Sequence, residues 1–176
     1  MTESLLTPHV YVDNEKMLIE ALNGKIDVDK NKEIFKSGVC LYFAKRGFNK
    51  TNLPTEELVV KSFNLTKRAK AAGIFNSFSI DDDGQFFSDS LDEVCLTWAQ
   101  IIRFCEKYPH KLLAGDDDSA NLFLLKCSEN FSGYFAVYVF ALPDGLYVSS
   151  ENGNERQYHD LGRTRVFVPE NCTLNH

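Results

Sequence analysis

Apolar residues recur along this chain in two rhythms, one stepping by three or four residues and one alternating or running unbroken over short stretches. The clearest instance of the first is Leu91, Val94, Cys95, Trp98, Ile101, Ile102, Cys105 and Tyr108, with Glu93, Gln100, Arg103 and Lys107 between them. That spacing predicts one long amphipathic helix over about 90–108. Ser90 and Glu93 stand at the separation of a capping box, in which each side chain satisfies a free amide at the helix start, and Pro109 stops the helix.

Shorter runs of the same rhythm predict three helices upstream. After an extended start ending near Val12, Asp13 or Asn14 caps a helix carrying Met17, Leu18, Ala21 and Leu22, and Asn23-Gly24 ends it. A second helix spans about 30–46, with Ile34, Phe35, Val39, Tyr42 and Phe43 on its buried stripe. Gly38 lies inside it and costs about 1 kcal/mol relative to Ala, which makes it the weak point of this helix. A third begins at Thr55-Glu56-Glu57, where acidic residues meet the positive end of the backbone dipole. It carries Leu58, Val59, Phe63 and Leu65, and stops at Gly73.

The second rhythm begins with Ser77 to Ile80 and Gln85 to Phe87, which flank Asp81-Asp82-Asp83-Gly84; the Asp-Gly pair accepts the positive φ of a tight turn, so a hairpin is expected. Downstream, Leu122 to Cys127, Tyr134 to Ala141, Leu146 to Ser150, Asn154 to Tyr158 and Thr164 to Val168 read as strands, with turns at Pro143-Asp144-Gly145 and Asn152-Gly153. Tyr134 to Ala141 is apolar on both faces and therefore central. These elements predict an α+β fold in a single domain over 1–176. It has a helical part over about 13–73 and a hairpin, helix and sheet over about 77–169, the long helix packed on a C-terminal antiparallel β-meander.

Composition supports one globular unit: 176 residues, 44% hydrophobic and 25% charged. The net charge of −6 is unevenly spread. Residues 1–74 carry 12 Lys/Arg against 9 Asp/Glu and residues 75–176 carry 7 against 16, so the halves stand at +3 and −9. An acidic half attracts positively charged partners. The five cysteines, Cys40, Cys95, Cys105, Cys127 and Cys172, contain no CxxC pair and point to a reducing compartment. The start of the chain has no secretory signal pattern, and no apolar run approaches the roughly 20 residues that span a bilayer. The expectation is a cytoplasmic protein with no membrane partner.

Candidate chemistry is sparse. His9, His110, His159 and His176 are too scattered for a local metal pair. Asp27, Asp29 and Asn31 match the first, third and fifth positions of a calcium loop, but Lys32 stands where Gly is required and Gly38 where a bidentate Glu is required. Asp81 and Asp83 with Asp116 and Asp118 are the remaining carboxylates that a divalent ion could collect from separate loops. Turns attract Asp for their own reasons, so no cofactor and no metal is expected.

Nucleophilic catalysis would use Cys40, with His159 as base and Asp160 as its orienter. A helix-borne Cys followed by a sheet-borne His resembles the layout of papain-like amidases, including the CHAP and NlpC groups. That resemblance implies a cysteine-dependent hydrolase. It covers only the order of elements, and the position near Tyr134-Phe135, where those families place the His, has none. A nucleic-acid reader would use Lys61, Lys67, Arg68 and Lys70 on the third helix to displace phosphate counterions. The remaining polar groups suit a protein interface: Asp82 and Asp117 in the acidic loops, and Tyr158, Arg163 and Arg165, residue types common at binding hot spots. Because polar groups are scattered over loops rather than gathered into a motif, the sequence favours a non-enzymatic intracellular protein-binding module, an inhibitor, adaptor or regulatory accessory protein. The hydrolase and the nucleic-acid reader are the alternatives.

Overall fold

The computed structural model describes residues 6–8, 16–24, 28–45, 53–65, 79–80, 86–87, 89–114, 119–126, 134–150 and 163–171. They form a mixed sheet with three short helices, which overturns the expectation of a helical N-terminal half and a long helix on a meander. The strands are β1 (Leu6–Pro8), β2 (Met17–Ile19), β3 (Gly38–Val39), β4 (Leu58–Leu65), β5 (Ser79–Ile80), β6 (Phe86–Phe87), β7 (Ser119–Lys126), β8 (Tyr134–Leu142), β9 (Gly145–Ser150) and β10 (Arg163–Pro169). The helices are α1 (Val28–Ile34), α2 (Leu41–Lys45) and α3 (Trp98–Lys107).

Four corrections have separate physical causes. The first expected helix is β2, in which Met17 and Ile19 are buried while Leu18 is only partly so, an alternation by two rather than by four. The third expected helix is β4, antiparallel to β10 on one edge and to β1 and β2 on the other. Its Val59-Val60 pair and Phe63 suit a pleated surface better than a helix. The expected helix over 30–46 breaks where Gly38 adopts φ +115°, a conformation that side chains with a Cβ avoid. There the chain forms β3, parallel to β9, and α1 and α2 lie on either side.

The fourth correction concerns the long helix. Asp89–Glu93, including Ser90, forms a 3-10 turn, and α3 starts only at Trp98. Its capping box is Thr97 with Gln100: the Thr97 hydroxyl accepts from the Gln100 amide at 3.3 Å, and the Gln100 side-chain oxygen accepts from the Thr97 amide at 2.9 Å. Between the two, Leu96 pairs in parallel with Leu125, bonding Leu124 and Lys126. The other edge of β7 is taken there by β8, so Leu96 fills the β10 side, beyond the last β7–β10 pair at Phe123 and Phe167. The chain thus passes from one face of the sheet to the other. Leu91, Val94 and Cys95 pack against Leu122, Leu124, Tyr138 and Phe140 on one face, whereas Trp98, Ile101, Phe104 and Cys105 pack against Phe123, Leu125, Val137 and Phe167 on the other.

The expected C-terminal strands form, but not as a meander. β7, β8 and β9 are joined antiparallel in sequence order, and β8 is central and buried on both faces. β10 instead returns to lie between β4 and β7, parallel to β7. The hairpin strands β5 and β6 pair antiparallel as expected; the expected strand over 154–158 lies outside the described residues.

Trp98 ties the helical layer together. It is buried at 1% exposure, stacks on Phe35 at 5.3 Å and packs against Phe43 at 4.9 Å. Its indole N–H donates to the Asn31 side-chain oxygen at 2.9 Å, which gives the buried indole donor a partner. One side chain so joins α1, the segment after it, α2 and α3. No helix among the described residues is long and apolar enough to cross a membrane.

Candidate interaction surface

On the helix-covered face the inward positions of the strands change character along their length. In one direction they are Phe167 and Phe123, stacked at 4.9 Å. At the other end, cross-strand register sets Asn64, Arg165 and Asn121 side by side on β4, β10 and β7. Asn121 is fully buried. Its side chain accepts from the Leu113 amide at 2.7 Å and donates to the carbonyls of Leu113 and Val139 at 3.1 and 3.0 Å. Arg165 donates to Asn64 at 3.0 Å and to the Lys111 carbonyl at 2.6 Å. This row receives the chain as it leaves α3, and both side chains bond its backbone at Lys111 and Leu113. Arg165 is therefore only 8% exposed and turned inward, whereas Arg163, two residues earlier on the same strand, is exposed.

The same parallel pairing brings two candidate groups together. Ser119, which opens β7, and Arg163, which opens β10, are register partners. Asp118 adjoins Ser119 in sequence and Gly162 adjoins Arg163, so the acidic run Asp116-Asp117-Asp118 and the Tyr158–Arg163 segment are tethered to neighbouring points at one end of the sheet. The aspartates, Tyr158, His159 and Asp160 themselves lie outside the described residues. Asp81, Asp82 and Asp83 do too, but their flanks are placed elsewhere. Phe86 pairs with Tyr134, which pairs with Lys126 at the far end of β7, about 23 Å from Ser119 at the rise of an extended strand.

That far end carries a constellation the sequence does not reveal. Asp92 accepts from Lys126 at 2.8 Å and from the Tyr134 hydroxyl. The two donors hold its carboxyl below the usual range, Lys126 first. These residues are 34 and 42 positions from Asp92, and only the β7–β8 register unites them.

The outer edge of β2 is closed by side chains. The Leu18 amide donates to the Tyr108 hydroxyl at 2.8 Å, which donates back to the Leu18 carbonyl at 3.0 Å, while Lys107 donates to that carbonyl at 3.0 Å. Glu20 accepts from Lys107 at 2.6 Å and from Arg103 at 3.2 Å. Lys107, then its own backbone amide, then Arg103 hold the Glu20 carboxyl down at about 2.

The remaining candidates are dispersed. The Cys40 sulfur accepts from the Phe43 amide at 3.3 Å at the start of α2; His159 and Asp160, its expected partners, fall outside the described residues. Cys95 and Cys105 are buried free thiols. Burial pushes Cys95 up to about 12 and Cys105 upward as well, which leaves both in the unreactive form. Lys61 stands on a strand, its ammonium 5.3 Å from the Phe63 ring centre, so it cannot share a helical face with Lys67, Arg68 and Lys70, which lie outside the described residues. No group of three His, Cys, Asp or Glu among the described residues is arranged to hold a metal. No family model, curated protein or solved structure matches this chain.

Proposed function

We propose that this chain is a non-enzymatic, cytoplasmic protein-binding module, a regulatory inhibitor or adaptor, which engages its partner at the end of the sheet where β7 and β10 begin. The observation that carries this reading is the parallel register of Arg163 with Ser119. It tethers an acidic run and a Tyr/Arg-bearing segment to adjacent points, although the sequence separates them by some forty residues. The combination of carboxylates with Tyr158 and Arg163 suits a partner of mixed charge, and the buried Arg165–Asn121 row follows two residues along β10 and β7 from the points of attachment. The free thiols at Cys40, Cys95 and Cys105 are compatible with a reducing compartment.

The test is affinity capture from a native lysate with the full chain and with the double variant Asp117→Lys/Arg163→Glu. A stoichiometric protein recovered by the first and lost by the second supports the reading. Recovery of nucleic acid, or a partner indifferent to the double variant, refutes it.

A further inference from the structure

We infer that the outer edge of β3 is a strand-addition site for an extended, acidic segment of a partner protein. The inference rests on the chain being a protein-binding module, but on a surface separate from the β7–β10 end. β3 pairs with β9 on one side, and among the described residues no strand pairs with its other side. The Cys40 amide donates to the Val148 carbonyl at 2.8 Å. Since backbone groups of an extended chain alternate in direction, the N–H and C=O of Val39 point away from β9. This is the arrangement that an added strand completes with main-chain hydrogen bonds.

The flanks of this edge supply side-chain recognition. Leu41, immediately beyond it, is 70% exposed and is the one large apolar side chain so exposed among the described residues. Lys45 lies one turn further along α2 on the same face as Leu41. On the other side Lys36 packs beside Gly145 at the start of β9, and Lys32 lies one turn before it. Lys32, Lys36 and Lys45 are all exposed. A segment laid along β3 would run beside a stretch of chain that carries Lys36 before the edge and Leu41 and Lys45 after it. Charge complementarity selects carboxylates, with an apolar residue to cover Leu41. Sheet edges left in this state usually carry charge against unwanted pairing, and lysine does so while still admitting an acidic strand.

The probe is a short fluorescent peptide of alternating glutamate and valine, titrated against the full chain and followed by anisotropy. Saturable binding is expected, with none for the peptide carrying lysine in place of glutamate. N-methylation of every second peptide amide should abolish binding in one register and spare it in the other, because an added strand donates from one edge only. Lys36→Glu/Lys45→Glu should weaken binding about tenfold, each exposed charge contributing a modest share, and Leu41→Asp should weaken it too. Arg163→Glu should leave it unchanged, which separates this site from the surface proposed above. Absence of saturable binding overturns the inference, as do equal binding of the lysine peptide, equal tolerance of both N-methyl registers and indifference to the lysine reversals. Self-association of the chain that Leu41→Asp abolishes would assign the edge to a second copy and overturn it as well.

Discussion

The edges of the sheet at β2 and at β3 are treated in opposite ways. At β2 the outward amide and carbonyl of Leu18 are engaged by the Tyr108 hydroxyl and the Lys107 ammonium, so the row of groups that would template another chain is closed from within. At β3 the outward groups of Val39 meet no strand among the described residues, and the adjoining stretches of chain carry the exposed Lys36, Leu41 and Lys45. An exposed edge invites aggregation, and proteins usually blunt it. One edge is engaged by Lys107 of α3 and by Tyr108 just beyond it, whereas among the described residues no strand pairs with the other; this is the contrast that strand addition at β3 would explain.

The largest perturbation of this contrast comes from Trp98, which joins α1 and α2, the elements on either side of β3, to α3. Trp98→Ala removes a fully packed indole and its hydrogen bond to Asn31, and should cost about 3–5 kcal/mol. Urea unfolding measures the loss, and native-state hydrogen exchange should locate the added opening in 28–45 rather than in β2. A cost under about 1 kcal/mol, below the range for emptying an aromatic site, would show that α1 and α2 are held by something else. Next in size is Tyr108→Phe. The ring stays packed, but the Leu18 amide loses its 2.8 Å bond to the hydroxyl and keeps only the one to the Lys16 carbonyl at 3.1 Å; the loss of one partly buried hydrogen bond costs about 1 kcal/mol. Exchange at the Leu18 amide should accelerate toward that of Val39. If Leu18 keeps its protection, the hydroxyl is not what closes the β2 edge.

How far these features were legible follows from what each depends on. Strands β7, β8 and β9 could be read because short, nearly continuous apolar runs and a Pro-Asp-Gly turn mark them. β4 could not: Leu58, Val59 and Phe63 satisfy a helical spacing as well as a pleated one, and only pairing with β10 and β2 decides between them. The long helix failed for a subtler reason. Leu91, Val94 and Cys95 continue the rhythm of Trp98, Ile101 and Cys105, yet the two sets serve opposite faces of the sheet, and periodicity carries no mark of the crossing at Leu96. The expected cap, Ser90 and Glu93, has the same spacing as the capping pair of the structure, Thr97 and Gln100, and spacing alone does not separate them. The return of β10 beside β7 was invisible, because long-range parallel pairing leaves no local trace; with it went the adjacency of Ser119 and Arg163 and the inward turn of Arg165. The polar row did leave a faint signal, since Asn121 and Arg165 interrupt otherwise apolar inward positions.

The smallest expected effect concerns pH and discriminates between the edges most cleanly. Glu20 has a folded-state carboxyl near 2 against an ordinary 4.5. A depressed carboxyl stabilises the folded state above the ordinary value, and that contribution is lost as pH falls from about 4.5 toward 2. Because Glu20 holds the lysine that bonds the Leu18 carbonyl, its protonation frees Lys107 and leaves that carbonyl to Tyr108 alone. Acidification through this window should therefore raise exchange at Leu18, once corrected for the intrinsic pH dependence, more than at Val39. Glu20→Gln should remove the excess. The pair is solvent-exposed, so salt should shrink the effect at neutral pH as well. An acid response equal at Leu18 and Val39, or one that survives Glu20→Gln, would mean that the β2 edge does not depend on this carboxylate and that Tyr108 closes it unaided.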